Sequence, residues 1–178
     1  PEVARKARVV AMAGSVEIGY GGSSRRDAEV NVKSDIKSIR AVLAAPWEIT
    51  WAPLDICGTL ALKQDRYGLI ENSSQCAARL VVENYRQWAN RHRFPADGTS
   101  ILYDVAAAYL AFDQSLCELE SVAIRVDAEG YSIPGAEGRP VRCALRWKDR
   151  DAFERLLVET LVSGPPRPAS GTSARPAG

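Results

Sequence analysis

Glu29 and Asn31 stand two positions apart in the run Ala28-Glu29-Val30-Asn31. In an extended segment, side chains two apart project to one face, so this spacing would present an acceptor and an amide together, a pair suited to gripping neighbouring hydroxyl groups of a sugar. The plainer reading is a polar stretch that feeds a helix cap. Asp104 stands near the start of the apolar run Ile101-Leu102-Tyr103-Asp104-Val105-Ala106-Ala107-Ala108-Tyr109-Leu110. A carboxylate there is costly to bury unless it is paired, hydrogen-bonded or bound to a metal, the alternative being a surface turn of the helix. Tyr103 beside it offers a ring that stacks on a flat ligand. His92 is the only histidine, so a Ser-His-Asp hydrolase or a His-rich zinc site would have to use it. Its neighbours Arg91 and Arg93 place it instead in a solvated loop. The cysteines, Cys57, Cys76, Cys117 and Cys143, form no Cys-x-x-Cys pair and read as small core residues. Neither Gly-x-Gly-x-x-Gly nor a P-loop motif occurs.

These residues need elements to hold them. Arg8-Val9-Val10-Ala11-Met12-Ala13 is a short apolar run ending at Gly14, suited to a buried parallel strand. A glycine-rich loop, 14–26, follows it. Ser34 or Asp35 then caps a helix whose Ile36, Ile39, Val42 and Leu43 repeat at helical spacing and which stops before Pro46. Residues 47–55 predict a second strand closing with Asp55, itself a candidate helix cap. From 58 to 93 the pattern is helical, with Ala77, Leu80, Val81 and Tyr85 on the expected buried face, and 91–98 reads as a mobile loop. Thr99 or Ser100 opens the apolar helix that carries Asp104. Two more strands, 121–126 and 141–147, flank a turn-rich link, and Asp149 or Asp151 opens a last helix with Phe153, Leu156, Leu157 and Leu161. Strands alternating with helices predict an α/β fold: an open, mostly parallel sheet with flanking helices, whose ligands bind beyond the carboxyl ends of the strands. Residues 1–163 form the expected domain and 164–178, rich in Pro, Gly, Ser and Ala, a disordered tail.

Composition narrows the function. With 178 residues, 46% of them hydrophobic, the chain is long enough for one real core. Lys and Arg total 23 against 22 Asp and Glu, which supplies no basic stripe for nucleic acid. No apolar run spans a bilayer, so a cytoplasmic, reducing setting and no membrane partner are expected.

Taken in order, Met12-Ala13-Gly14, the glycine-rich loop, Ala28-Glu29-Val30-Asn31, the helix from Ser34 and Trp51-Ala52-Pro53-Leu54-Asp55 resemble the central region of the inosine-uridine preferring nucleoside hydrolases. Leu102 to Leu110, then Asp113-Gln114-Ser115-Leu116, resembles that family's segment in which a metal-binding aspartate opens a helix, and 140–161 resembles its closing strand and helix. The resemblance implies hydrolysis of the N-glycosidic bond of a ribonucleoside to ribose and free base, assisted by Ca²⁺. It assigns Asp104 as a calcium ligand, Glu29 and Asn31 to the ribose hydroxyls, and Met12 to the wall of the ribose pocket. A homo-oligomeric parent is expected.

The departures carry as much information. The family's N-terminal Asp-x-Asp-x-Gly-x-Asp-Asp, source of its general base and most calcium ligands, does not occur, and Pro1 aligns with the middle of the family domain. The expectation is a C-terminal half of the domain, a fragment without turnover by itself. The alternative is a degenerate relic, a non-catalytic ribosyl-ligand-binding or scaffold domain. Tyr103 stands where many pyrimidine-capable members carry His and some purine-preferring members an aromatic, which implies stacking and a purine preference. The family's Gly-Asn in the loop is here Gly19-Tyr20, which removes one contact to the sugar.

Overall fold

The computed structural model describes residues 2–92 and 98–163. Segment 93–97 of the expected mobile loop, the side chain of His92 and the expected tail lie outside them. One open sheet of five strands has the order β1-β2-β5-β3-β4, made by β1 (Arg8–Met12), β2 (Glu48–Ala52), β3 (Cys117–Val126), β4 (Ser132–Pro134) and β5 (Arg139–Trp147). β1, β2 and β5 are parallel, with Arg8 opposite Glu48 and Met12 opposite Ala52. β3 and β4 complete the sheet antiparallel, β3 carrying an irregularity between Glu118 and Leu119. This is the flanked α/β sheet that the alternation of elements predicts.

Side-chain alternation sorts the two faces. On β2, Ile49 and Trp51 pack with Leu43 of α3 (Ile36–Ala44), while Ala52 faces the other way. β5 repeats the pattern, with Val141, Cys143 and Leu145 toward α3 and Ala144 opposite. The opposite face is covered by α4 (Leu54–Cys57), α7 (Tyr103–Leu110) and α8 (Arg150–Val162), through Leu54, Leu110 and Phe153 among others. Two helix starts, those of α3 and α8, follow the caps read from sequence. Asp35 accepts the Ser38 amide at 2.9 Å and hydroxyl at 2.6 Å, bonds that hold its carboxyl below the usual range. Asp149 accepts the Ala152 amide at 2.8 Å.

Five expectations need correction. The strand expected over 47–55 stops at Ala52, because Pro53 has no N–H to offer a ladder and instead begins α4, placing Asp55 in a helical first turn. The long helical stretch expected over 58–93 starts only at Gln64 and is divided into α5 (Gln64–Glu71) and α6 (Cys76–His92). On α6 the buried residues are Ala78 and Val82, packed with Leu62, Ile70 and Val158, whereas Leu80 and Val81 are 58% and 46% exposed. The position of α8 decides which apolar stripe turns inward. The helix carrying Asp104 starts at Tyr103, later than expected, because the preceding residues pair in extended form: Thr99 N donates to Leu62 O at 2.8 Å and Leu102 N to Leu60 O at 2.7 Å. Finally, the turn-rich link contains β4. No helix among the described residues is long and apolar enough to cross a membrane.

Candidate active site

β1 ends at Met12, and the chain leaves it through Gly14, whose φ is 79°. A Cβ there would lie 2.6 Å from Ser132 Oγ and 2.9 Å from Cζ3 of Trp51, so the turn requires glycine. The loop beyond is built around carboxylates. Asp55 accepts the amides of Val16 at 2.9 Å, Glu17 at 2.7 Å and Ile18 at 3.2 Å. Asp27 accepts the Tyr20 amide at 2.8 Å. Ser15, fully buried, donates its hydroxyl to Ile18 O at 2.7 Å and accepts the Asp27 amide at 3.0 Å. Arg146 of β5 reaches the Glu17 carboxylate at 3.2 Å. Asp55 therefore serves the loop's backbone and does not cap its own helix, whose N-cap is Pro53.

Glu29 ends the loop as the N-cap of α2 (Val30–Ser34). Its carboxylate, 2% exposed, accepts from Asn31 N at 2.8 Å, Val32 N at 3.2 Å and Gly14 N at 3.1 Å. The cap reading is thus the correct local structure, and the extended segment with both side chains on one strand face is not what forms. A carboxylate accepts about four hydrogen bonds, and the fourth place, on Oε1, stays open among the described residues. Asn31 donates Nδ2 to the Met12 carbonyl at 3.1 Å and thioether at 3.2 Å, tying the end of β1 to α2.

Helix, loop and strand end enclose a cavity of about 330 Å³ lined by Met12, Tyr20, Glu29, Val30, Asn31, Tyr103 and Asp104. The five residues that the resemblance assigns to the site, Met12, Glu29, Asn31, Tyr103 and Asp104, all line it, beyond the carboxyl end of β1. Tyr20 and Val30 are additions. Tyr20 had registered only as a missing amide; its glycine neighbours, Gly19, Gly21 and Gly22, were the available signal that its ring has room to turn inward. A larger groove of about 890 Å³ runs along α5 and α6, but its Arg86 is already paired with Glu71 at 2.9 Å.

Burial raises the Tyr103 phenol above its ordinary value, with the neighbouring Cys57 and Glu29 adding to it, so Tyr103 keeps its proton at neutral pH and is a poorer acid than free tyrosine. Cys57 is pushed up to about 12 by burial first and Glu29 second, and its thiol donates to Pro53 O at 3.2 Å. It is inert at neutral pH. Asp104 is exposed at the start of α7 and, among the described residues, makes no hydrogen bond or ion pair. Calcium takes six to eight oxygens. Among the described residues no group of three His, Cys, Asp or Glu converges, so Asp104 fits as one free ligand while this set of residues does not by itself make a metal site.

The fold is shared with solved structures. A plant nucleoside hydrolase superposes with a TM-score of 0.73 at 18% identity over 88% of this chain and 54% of its own. The purine-preferring ribonucleoside hydrolase of Gardnerella vaginalis gives 0.68 at 17% identity over 88% and 52%. The inosine-uridine preferring nucleoside hydrolase of Bacillus anthracis gives 0.50 at 16% over 85% and 51%. The chain thus spans about half the length of the structures it resembles. Comparison with curated proteins returns no match. The family model for inosine-uridine preferring nucleoside hydrolases matches residues 1–155, and the chain belongs to that family.

Proposed function

We propose that residues 1–163 are the ribonucleoside-holding part of a nucleoside hydrolase that cleaves the N-glycosidic bond to ribose and free base. The observation that carries this reading is the convergence of Met12, Glu29, Asn31, Tyr103 and Asp104 on one cavity at the end of a strand in a chain of this family. Glu29 Oε1 and Asn31 Oδ1 accept from the ribose hydroxyls, the Asn31 Nδ2 group being held by Met12, which forms the floor, and Tyr103 stacks on the base, favouring purines. The transition state of such a reaction carries positive charge at the anomeric carbon, which nearby carboxylates stabilise. Glu29 and Asp104 supply that field. Asp104 is also assigned as one calcium ligand; bound calcium would orient ribose hydroxyls and a water. Neither a general base nor the other ligands is assigned within the described residues, so residues 1–178 alone are expected to give no turnover. The parent protein is assigned to a cytoplasmic setting and to a homo-oligomer.

A second reading is a ribosyl-binding domain without catalysis, favoured by the commitment of Glu29 to three backbone amides. One experiment separates the two: ribose release from inosine, with and without calcium, by the longest open reading frame that contains this sequence. Calcium-dependent release that Asp104→Asn lowers by 100-fold or more supports the hydrolase. Binding of inosine without release supports the second reading.

A further inference from the structure

The loop places an aromatic ring where the sequence suggested only a lost contact. Tyr20 begins a single tight turn, Tyr20–Gly22, in which Gly21 and Gly22 have φ of 64° and 82°. The residue is held at both ends: its backbone amide donates to Asp27 at 2.8 Å, and its phenol oxygen accepts the Val30 amide at 2.9 Å. The ring is 36% exposed and lines the cavity. It meets the Tyr103 ring edge-on, with centroids 6.2 Å apart and planes at 82°. Two rings at right angles form a corner, in which a flat ligand stacks on one ring and turns its edge to the other.

The same bond closes the start of α2. Asn31 and Val32 donate to the Glu29 carboxylate and Lys33 to the Glu29 carbonyl at 2.8 Å. Val30 was the remaining amide, and Tyr20 takes it. No N-terminal amide of α2 is left to attract an anion or to bind a sugar oxygen, and the neighbouring Val30 side chain is apolar and 60% exposed. Burial also holds Tyr20 protonated, so the wall is neutral. This side of the cavity suits a flat, uncharged, largely apolar group.

We propose that Tyr20 is a specificity-determining residue: with Tyr103 it forms the two-sided aromatic corner that holds the base of a nucleoside and prefers a bicyclic base to a monocyclic one, while the opposite, carboxylate-lined side takes the sugar. This rests on the nucleoside reading given above. Because the ring is fixed before ligand arrives, its contact costs little ordering on binding. Stacking of a base on an aromatic side chain corresponds to a loss of about 5- to 150-fold in affinity when the ring is removed.

The test uses the longest open reading frame, with titration calorimetry of inosine, uridine and ribose against the wild type, Tyr20→Ala and Tyr20→Phe, and steady-state kinetics of inosine and uridine cleavage. The expected result is that Tyr20→Ala weakens inosine by about 5- to 150-fold, weakens uridine less, leaves ribose within about twofold and raises KM more than it lowers kcat. Tyr20→Phe, which keeps the ring, retains most of the inosine affinity. Equal weakening of inosine and ribose would show that Tyr20 only shapes the loop and would overturn the assignment, as would unchanged inosine binding in a folded Tyr20→Ala protein. Failure of the wild type to bind either nucleoside would overturn the nucleoside reading, and the corner with it, whereas normal nucleoside cleavage with an indifferent Tyr20→Ala overturns the corner alone.

Discussion

Replacing Asp55 should loosen the loop over the cavity without unfolding the protein. Its Oδ1 accepts the Glu17 and Ile18 amides and its Oδ2 the Val16 amide. Hydrogen bonds to a charged group are worth about 1.5–3 kcal/mol each. Glu17 is exposed, so water replaces its bond at little cost, while Val16 is 3% exposed and cannot be reached without opening the loop. Asp55→Ala should therefore cost roughly one to two such bonds, about 2–4 kcal/mol of local stability, below the ~5–15 kcal/mol that holds a domain together. Native-state hydrogen exchange reads this directly. Protection of Val16, Glu17 and Ile18 should fall roughly 30- to 1,000-fold, at about 1.4 kcal/mol per factor of ten, while α8 and β5 keep theirs. Asp55→Asn, which retains Oδ1 but sets an amide N–H against that of Val16, should lose Val16 protection while sparing Glu17 and Ile18. Unchanged exchange at these three amides, or a uniform loss across the sheet, would refute the reasoning.

Four further outcomes are expected. Gly14→Ala should lower the stability by about 2 kcal/mol or more in a urea titration, because the new Cβ meets Ser132 and Trp51 at a positive φ. At pH 8 a thiol reagent should modify the exposed Cys76 promptly and the other three cysteines only after denaturation, since Cys57, Cys117 and Cys143 are buried and pushed up to about 12. The same shifts set a pH slope: above pH 9 the unfolded thiols release protons that the folded ones keep, so the denaturation midpoint should fall between pH 9 and 12, and fall less steeply in Cys57→Ala. Residues 1–178 expressed alone should self-associate, because β1 pairs only with β2 and its outer edge is open among the described residues; a monomer with a cooperative thermal transition would count against this.

Much of the frame was legible because its signals are local. The β1 run, the Asp35 and Asp149 caps and the ends of the strands expected over 121–126 and 141–147 each rest on a few consecutive residues and formed as expected, although β3 and β5 start earlier, at Cys117 and Arg139. What escaped was set by distant partners. Which stripe of α6 faces inward depends on Val158 of α8, and the late start of α7 on amides spent against Leu60 and Leu62. The cavity residues were found as a set through their resemblance to the family, but the spacing argument for Glu29 and Asn31 assumed an extended segment. A capped helical turn brings them to the cavity instead. Tyr20 was missed as a wall because nothing in the sequence shows that its phenol will find the Val30 amide.

Trp51 gives this architecture an optical consequence. Its ring lies directly behind Gly14, fully enclosed, and its indole N–H has no partner among the described residues. An indole enclosed by apolar side chains emits toward the blue, and its yield responds to the peptide dipoles closest to it. The peptide at Gly14 is one of these, and that same peptide donates to Glu29. A ligand hydroxyl or a substitution that shifts the carboxylate is therefore expected to reach Trp51 through one backbone amide, and the difference in emission between the wild type and Trp51→Phe separates that change from the light of the other three tryptophans.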